Sequence, residues 1–230
     1  MSDAMPDSRS ISRRFLLSAV LALAAVATFG VDLPVAMKLR HWNAEASPEY
    51  NKDVHDSLGY FDTYEPFGHG RGVVLVLLIL HQLDPARRWA IPRVAACALA
   101  GGMAANLLKM LIVRSRPNDI PLDFHSSVWA TFGQWLPGFS GQSGLQSFPS
   151  AHTAAAAGLA AALIWLYPQG RWLFTALAVL VGCQRIVSGA HFPSDVLIGA
   201  AAGCLAATFF LHVGRLSVWF DRWESHWRAK

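Results

Sequence analysis

Three short polar clusters interrupt an otherwise apolar chain, and their residue types are those that phosphate chemistry needs. Lys109 is followed by Arg116 and Pro117; Pro149, Ser150, Ala151 and His152 make the second cluster; Arg185, His191 and Asp195 make the third. Lys109, Arg116 and Arg185 supply positive charge, and an arginine can grip phosphate oxygens with two parallel N–H groups. Ser150 stands where an apolar run begins, so its hydroxyl and the unbonded N–H groups of a helix start can cradle an anion. His191 and Asp195 lie four apart across Pro193, so the carboxylate can reach one ring nitrogen and turn the other toward phosphorus. His152 is left to protonate the leaving oxygen. No metal-ligand spacing occurs among these residues, and no metal or cofactor is expected.

Taken singly, most of these residues have plainer uses. A lysine at a span end snorkels, Ser150 caps a helix, Asp195 is a first-turn acid, and His152 is an interfacial histidine. Arg185 and His191 resist such readings, because polar groups near membrane depth are costly. The joint occurrence decides for chemistry.

The elements that must position these clusters are membrane spans. Apolar residues make up 53% of the chain and charged residues only 15%, well under the usual quarter. Six apolar segments are legible: 15–31, 72–83, 91–113, 152–167, 172–190 and 196–213. The third, fifth and sixth meet the roughly 17 residues that a span requires, the fourth is short, and the second is the weakest. An all-α polytopic protein of about six transmembrane helices is expected, over 15–213, between a cytoplasmic tail (1–14) and an interfacial tail (214–230). The first segment also fits a cleaved leader, with Arg13-Arg14 before it and Ala25-Val26-Ala27 near its end.

An odd span's end and the next even span's start share a membrane face, so all three clusters converge by topology. With the N-terminus inside, 11 of the 19 basic residues fall on inner loops and tails, which is the favoured bias. The site then faces outward, from the inner membrane of the cell. In the tail, Trp219, Trp223 and Trp227 form one helical stripe suited to the membrane surface. The net charge of +4 comes without the basic stripe of a nucleic-acid binder. Cys97, Cys183 and Cys204 all sit in apolar runs and say nothing of redox compartment. The aromatic residues Trp129, Phe132, Trp135 and Phe139 either line a lipid entrance or pack over the site. Arg114 either holds a second phosphate or is a flanking charge.

The stretches KMLIVRSRP, PSAH and QRIVSGAHFPSD resemble the signature of the type 2 phosphatidic acid phosphatase superfamily, K-x6-R-P, P-S-G-H and S-R-x5-H-x3-D. The resemblance implies a metal-independent membrane phosphatase acting on lipid phosphates or diphosphates, with membrane lipids as its surroundings. His191 would form the phosphohistidine with Asp195 as partner, and His152 would be the general acid. Lys109, Arg116, Ser150, Ala151 and Arg185 would bind phosphate. Ala151 stands where the signature has glycine, and Gln184 where it has serine. Undecaprenyl diphosphate, phosphatidic acid, phosphatidylglycerol phosphate and lipid A are candidate substrates. Lipid phosphotransfer, vanadate-dependent oxidation and non-catalytic lipid-phosphate binding are the competing readings.

Overall fold

The computed structural model describes residues 8–45, 63–121, 127–135 and 143–228. Phe139 lies outside them. Seven principal helices run in chain order: α1 (Ser8–Glu45), α2 (Gly70–Leu83), α3 (Ile91–Lys109), α4 (Ala151–Leu166), α5 (Arg171–Val187), α6 (Pro193–Leu211) and α7 (Gly214–Arg228). A helical turn at Glu65–Gly68 precedes α2, and two short strands, β1 (Ile112–Arg114) and β2 (Phe132–Trp135), pair antiparallel after α3. The chain is a membrane protein. Ser12–Trp42, Pro85–Lys109, Pro168–Val187 and Pro193–Leu211 are long and apolar enough to cross a bilayer, and Gly70–Leu83 and Ala151–Leu166 are shorter apolar helices.

The shortness of α4 follows from its place. Its 16 residues reach about 24 Å, and α3, α5 and α6 pack around it. Small residues let this happen: a side chain on Gly203 or Gly101 would strike the Ala154 backbone, and one on Gly199 would strike Ser150. Backbone-close contact of this kind is how helices associate where lipid offers no hydrophobic drive. The apolar cluster at the other end joins Val94, Cys97, Leu159, Leu163, Ala207 and Leu211.

Two boundaries differ from the sequence reading. The first helix continues to Glu45, past the expected end at 31, and Arg40 from this extension donates to the carbonyls of Pro117 and Ile120. The third helix stops at Lys109, short of 113, because the chain turns into β1. Residues 112–116 are then held on two sides: Ser115 N–H donates to Thr131 O and Arg116 N–H to Gly144 O, while Ser147 N–H donates to Arg114 O. This small ladder brings the first cluster against the second.

Beyond Gly214, whose φ of +85° only glycine adopts freely, α7 buries Ser217, Phe220 and Glu224 and leaves Trp219 and Trp227 exposed. Its attachment is ionic. Buried Arg93 on α3 meets Asp221 at 2.6 Å and Glu224 at 2.8 Å.

Candidate active site

His191 sits in the turn between α5 and α6, almost fully buried. Gly189, at φ +66°, makes this turn possible, and Asn118 ties it down by donating to the carbonyls of Gly189 and Ser188. The His191 Nδ1–H donates to the Ser147 carbonyl at 2.6 Å. A carbonyl only accepts, so the proton is on Nδ1 and Nε2 keeps its lone pair. Burial first, then the charges of Lys109 and Arg116, hold the ring well below the usual histidine range, with the Ser147 carbonyl opposing them. A neutral imidazole with its lone pair on Nε2 has the chemistry to act as a nucleophile.

Asp195 stands differently from the direct ring contact expected of it. Its Oδ2 is 3.9 Å from His191 Nδ1 and instead accepts from Ser147 Oγ at 2.6 Å and Phe192 N–H at 2.9 Å. Its Oδ1 accepts from Arg114 at 2.5 Å. The carboxylate therefore anchors the segment whose carbonyl holds the ring, and its charge remains near an imidazolium.

Arg114 holds no second phosphate. Its guanidinium is fully buried and spends its donors on Thr131, Ser194, Asp195 and Asp32, the last at 2.7 Å. Phe192 and Phe132 cover it at 4.1 and 4.5 Å. Asp32, likewise fully buried, also accepts from the N–H and the hydroxyl of Ser194. Asp32, Ser147 and Ser194 belong to this site but carry no motif signal.

Ser150 caps α4, accepting from the N–H and hydroxyl of Thr153 at 3.4 and 2.9 Å, and its own N–H donates to the Asp195 carbonyl. Ala151 and His152 follow in the first turn, where a helix leaves N–H groups unbonded. His152 Nε2 is 3.6 Å from Glu65, and Arg185 is 3.2 Å from the same carboxyl oxygen. Gln184, in place of serine, accepts from Arg185 Nε and so fixes that guanidinium. Gly68 packs against the His152 carbonyl with no room for a side chain, which seats the turn bearing Glu65. Arg116 has its Nε buried with no hydrogen-bond partner among the described residues. Of the aromatic residues in the loop, Trp129 and Phe132 stack with Phe29 and cover the Arg114 network.

Lysine, arginines, a helix start and a buried histidine gathered at one end of a helical membrane protein suit a phosphate-like anion chemically. The family profile of the PAP2 superfamily matches residues 89–219, and the chain belongs to that superfamily. It is 40% identical over 119 residues to a lipid A 1-phosphatase of Rhizobium johnstonii, covering 50% of this chain and 46% of that protein. A lipid A 1-phosphatase of Rhizobium etli is 40% identical over 102 residues, covering 44% of this chain and 40% of its own length. The matches thus span about half the length of these relatives, or less. The fold is shared with a PAP2 type phosphatidylglycerolphosphate phosphatase of Bacillus subtilis (TM-score 0.56, 20% identity, 92% of this chain and 96% of that one). It is also shared with Aquifex aeolicus LpxE (TM-score 0.52, 22% identity, 68% and 86%).

Proposed function

We propose that this protein is a phosphatase of membrane lipids that works without a metal through a phosphohistidine at His191. The observation that carries the reading is the pairing of a buried histidine, its Nδ1 tied to the Ser147 carbonyl, with a basic cluster in which the Arg116 Nε is buried with no hydrogen-bond partner among the described residues. Lys109, Arg116 and Arg185 would hold the phosphoryl oxygens with Ser150 and the N–H of Ala151. His191 Nε2 attacks phosphorus and the bond to the lipid oxygen breaks, its electron pair going to that oxygen, which takes a proton from His152. Water then attacks the phosphohistidine, gives its proton to His152, and returns the P–N electron pair to Nε2 as inorganic phosphate leaves. Asp195 and Arg114 position the ring through Ser147. Among the described residues no three His, Cys, Asp or Glu side chains gather as a metal-ligand set. The relatives named lipid A 1-phosphatase support a lipid phosphate as substrate. The site would face the outside, from the inner membrane, with α7 at the inner surface.

The test is phosphate release from a panel of lipid phosphates by the purified full chain in detergent. Release should persist in a strong chelator, fall with vanadate, and vanish in His191→Ala. Loss in chelator that magnesium restores would overturn the mechanism. Phosphate reaching a second lipid alcohol with none freed would replace hydrolysis by transfer.

A further inference from the structure

A groove of about 620 Å³ lies at the end of α3 away from Lys109, between the turn Pro85–Ala90 and the last turns of α7. The 19 residues of α3 put about 28 Å of helix between this groove and the phosphate cluster. Its volume falls within the roughly 300–1,000 Å³ of ordinary ligand pockets. Trp89, Trp223 and Trp227 line it together with Arg88, Arg228 and His81. Among the described residues no acid lines it. The acids nearby are engaged by other partners: Asp84 meets Arg87 at 2.6 Å, and Asp221 and Glu224 meet Arg93 at 2.6 and 2.8 Å.

We propose that this groove binds the phosphate headgroup of an anionic phospholipid, a site separate from the phosphatase reading above and not dependent on it. Three observations select this ligand. The groove lies where the span Pro85–Lys109 begins, which is the depth of lipid headgroups and the depth at which tryptophan rings are favoured. Its arginines also keep donors in reserve. Among the described residues Arg88 spends only Nε, on the His81 carbonyl at 2.6 Å, so its two terminal amino groups can take a phosphate oxygen each. Arg228 lies over the Trp89 ring at 3.5 Å and reaches Glu224 through Nη2 alone, at 3.3 Å. Trp89 is itself held edge-on by Trp165 at 5.9 Å, so this wall is fixed before a lipid arrives. Finally, the charge excludes the rival headgroup. A choline cation needs open aromatic faces, whereas here a guanidinium already covers Trp89 and a second arginine stands beside it. Basic pockets at a span end hold anionic headgroups by this means. A phosphate shared by Arg88 and Arg228 would fasten the last turn of α7 to the start of α3, adding to the ion pairs at Arg93.

Two measurements on the full chain decide it, with phosphatidylglycerol as the anionic probe and phosphatidylcholine of the same acyl chains as the zwitterionic control. In native mass spectrometry from an equimolar mixture, phosphatidylglycerol should be retained in excess. Arg88→Gln combined with Arg228→Gln should lower that ratio at least about tenfold, at roughly fivefold for each arginine near a headgroup. Arg116→Gln at the phosphate site should lower it much less. Equal retention of the two lipids, or a loss in Arg116→Gln as large as in the groove variant, would overturn the proposal. So would displacement by millimolar inorganic phosphate, which would make the groove a site for the free anion. A dimer that the groove variant splits would give the groove to a second copy instead. The second measurement needs only the unaltered protein, so it decides even where the variant fails to fold. Phosphatidylglycerol with a photoactivatable group beside its glycerol should label peptides around Arg88 and Trp227, and unlabelled phosphatidylglycerol but not phosphatidylcholine should compete. Label confined to peptides around Lys109 and Arg185, or equal competition by both lipids, would overturn it.

Discussion

His191 is buried beside Lys109 and Arg116, and each of these surroundings disfavours its protonated form. The expected consequence is an acid limb of kcat/KM lying well below pH 6.5, the ordinary histidine value. Replacing Lys109 by Gln removes one opposing charge while burial, the larger cause, remains, so the limb should move upward only part of the way. Comparing the two profiles on one substrate cancels the substrate's own ionisation, and a limb near pH 6.5 in the unaltered protein would count against a buried neutral nucleophile. The same shift has a sign for stability. The unfolded chain takes up this proton first, so the contribution of His191 is complete above about pH 6.5 and is lost as pH falls. His152, the proposed general acid, lies 3.6 Å from a Glu65 carboxyl oxygen that Arg185 also approaches at 3.2 Å. His152→Ala should therefore cost about 10²- to 10⁴-fold on lipid phosphates, whose alkoxide leaves poorly. It should cost far less on p-nitrophenyl phosphate, and equal losses on both would refute the assignment.

At the level of elements, the buried carboxylates of α1 and α6 are bridged by one guanidinium from β1. Arg114 reaches Asp32 at 2.7 Å and Asp195 at 2.5 Å, all three side chains without solvent contact. Breaking such a cluster strands a buried charge, at a cost of about 3–5 kcal/mol. Arg114→Leu, which strands two carboxylates, should lower stability in thermal unfolding by that order and abolish turnover. Arg114→Lys should rescue little, since an ammonium cannot span Asp32, Ser194, Asp195 and Thr131 as the planar fork does. Asp32→Asn, which keeps an acceptor, should be the mildest, and full activity in Arg114→Leu would show the network to be dispensable. This network also marks what the sequence could reveal. Lys109, Ser150, His152, Arg185 and His191 were legible because each stands at the end of an apolar run, where a polar side chain has few plain uses. Asp32 and Glu65 were not, since nothing periodic or local connects them to partners more than eighty positions away. Arg114 was visible as a charge beside the clamp, but only the strand pairing after α3 shows that its guanidinium turns inward. The short α4 read as a marginal span because length alone was judged, and the helices packed around it explain why it suffices. The C-terminal helix was legible as amphipathic, yet its buried face is Ser217, Phe220 and Glu224, and the exposed Trp219 and Trp227 are the outward one.

Across the whole molecule, helix connectivity sets the phosphate cluster at one end and Arg87, Arg88, Arg171 and Arg215 at the other. The basic residues at the site end have structural employment. Lys109, Arg116 and Arg185 are the proposed holders of the phosphate, Arg114 is buried among carboxylates, and Arg40 donates to loop carbonyls. Among the described residues, Lys38 and Arg71 remain there as ordinary flanking charge. The opposite end carries basic residues at short connections, Arg87 and Arg88 within Pro85–Ala90 and Arg171 directly after Pro168–Gly170, where they act most strongly in holding a loop in the cytoplasm. The orientation is thus expected to put the site outside. Ser127 is exposed at the site end and Ala86 at the other, so each can carry a reporter cysteine once Cys97, Cys183 and Cys204 have been changed to alanine. In intact cells a membrane-impermeant thiol reagent should label Ser127→Cys and leave Ala86→Cys unlabelled until the cells are opened. The reverse pattern would turn the molecule over, placing the phosphate site inside and requiring the lipid substrate to be drawn from the cytoplasmic leaflet. Labelling of both positions in intact cells would mean that the segments between them do not cross the membrane as a set. In that event the convergence of the three clusters would rest on the packing of α3, α4 and α6 alone.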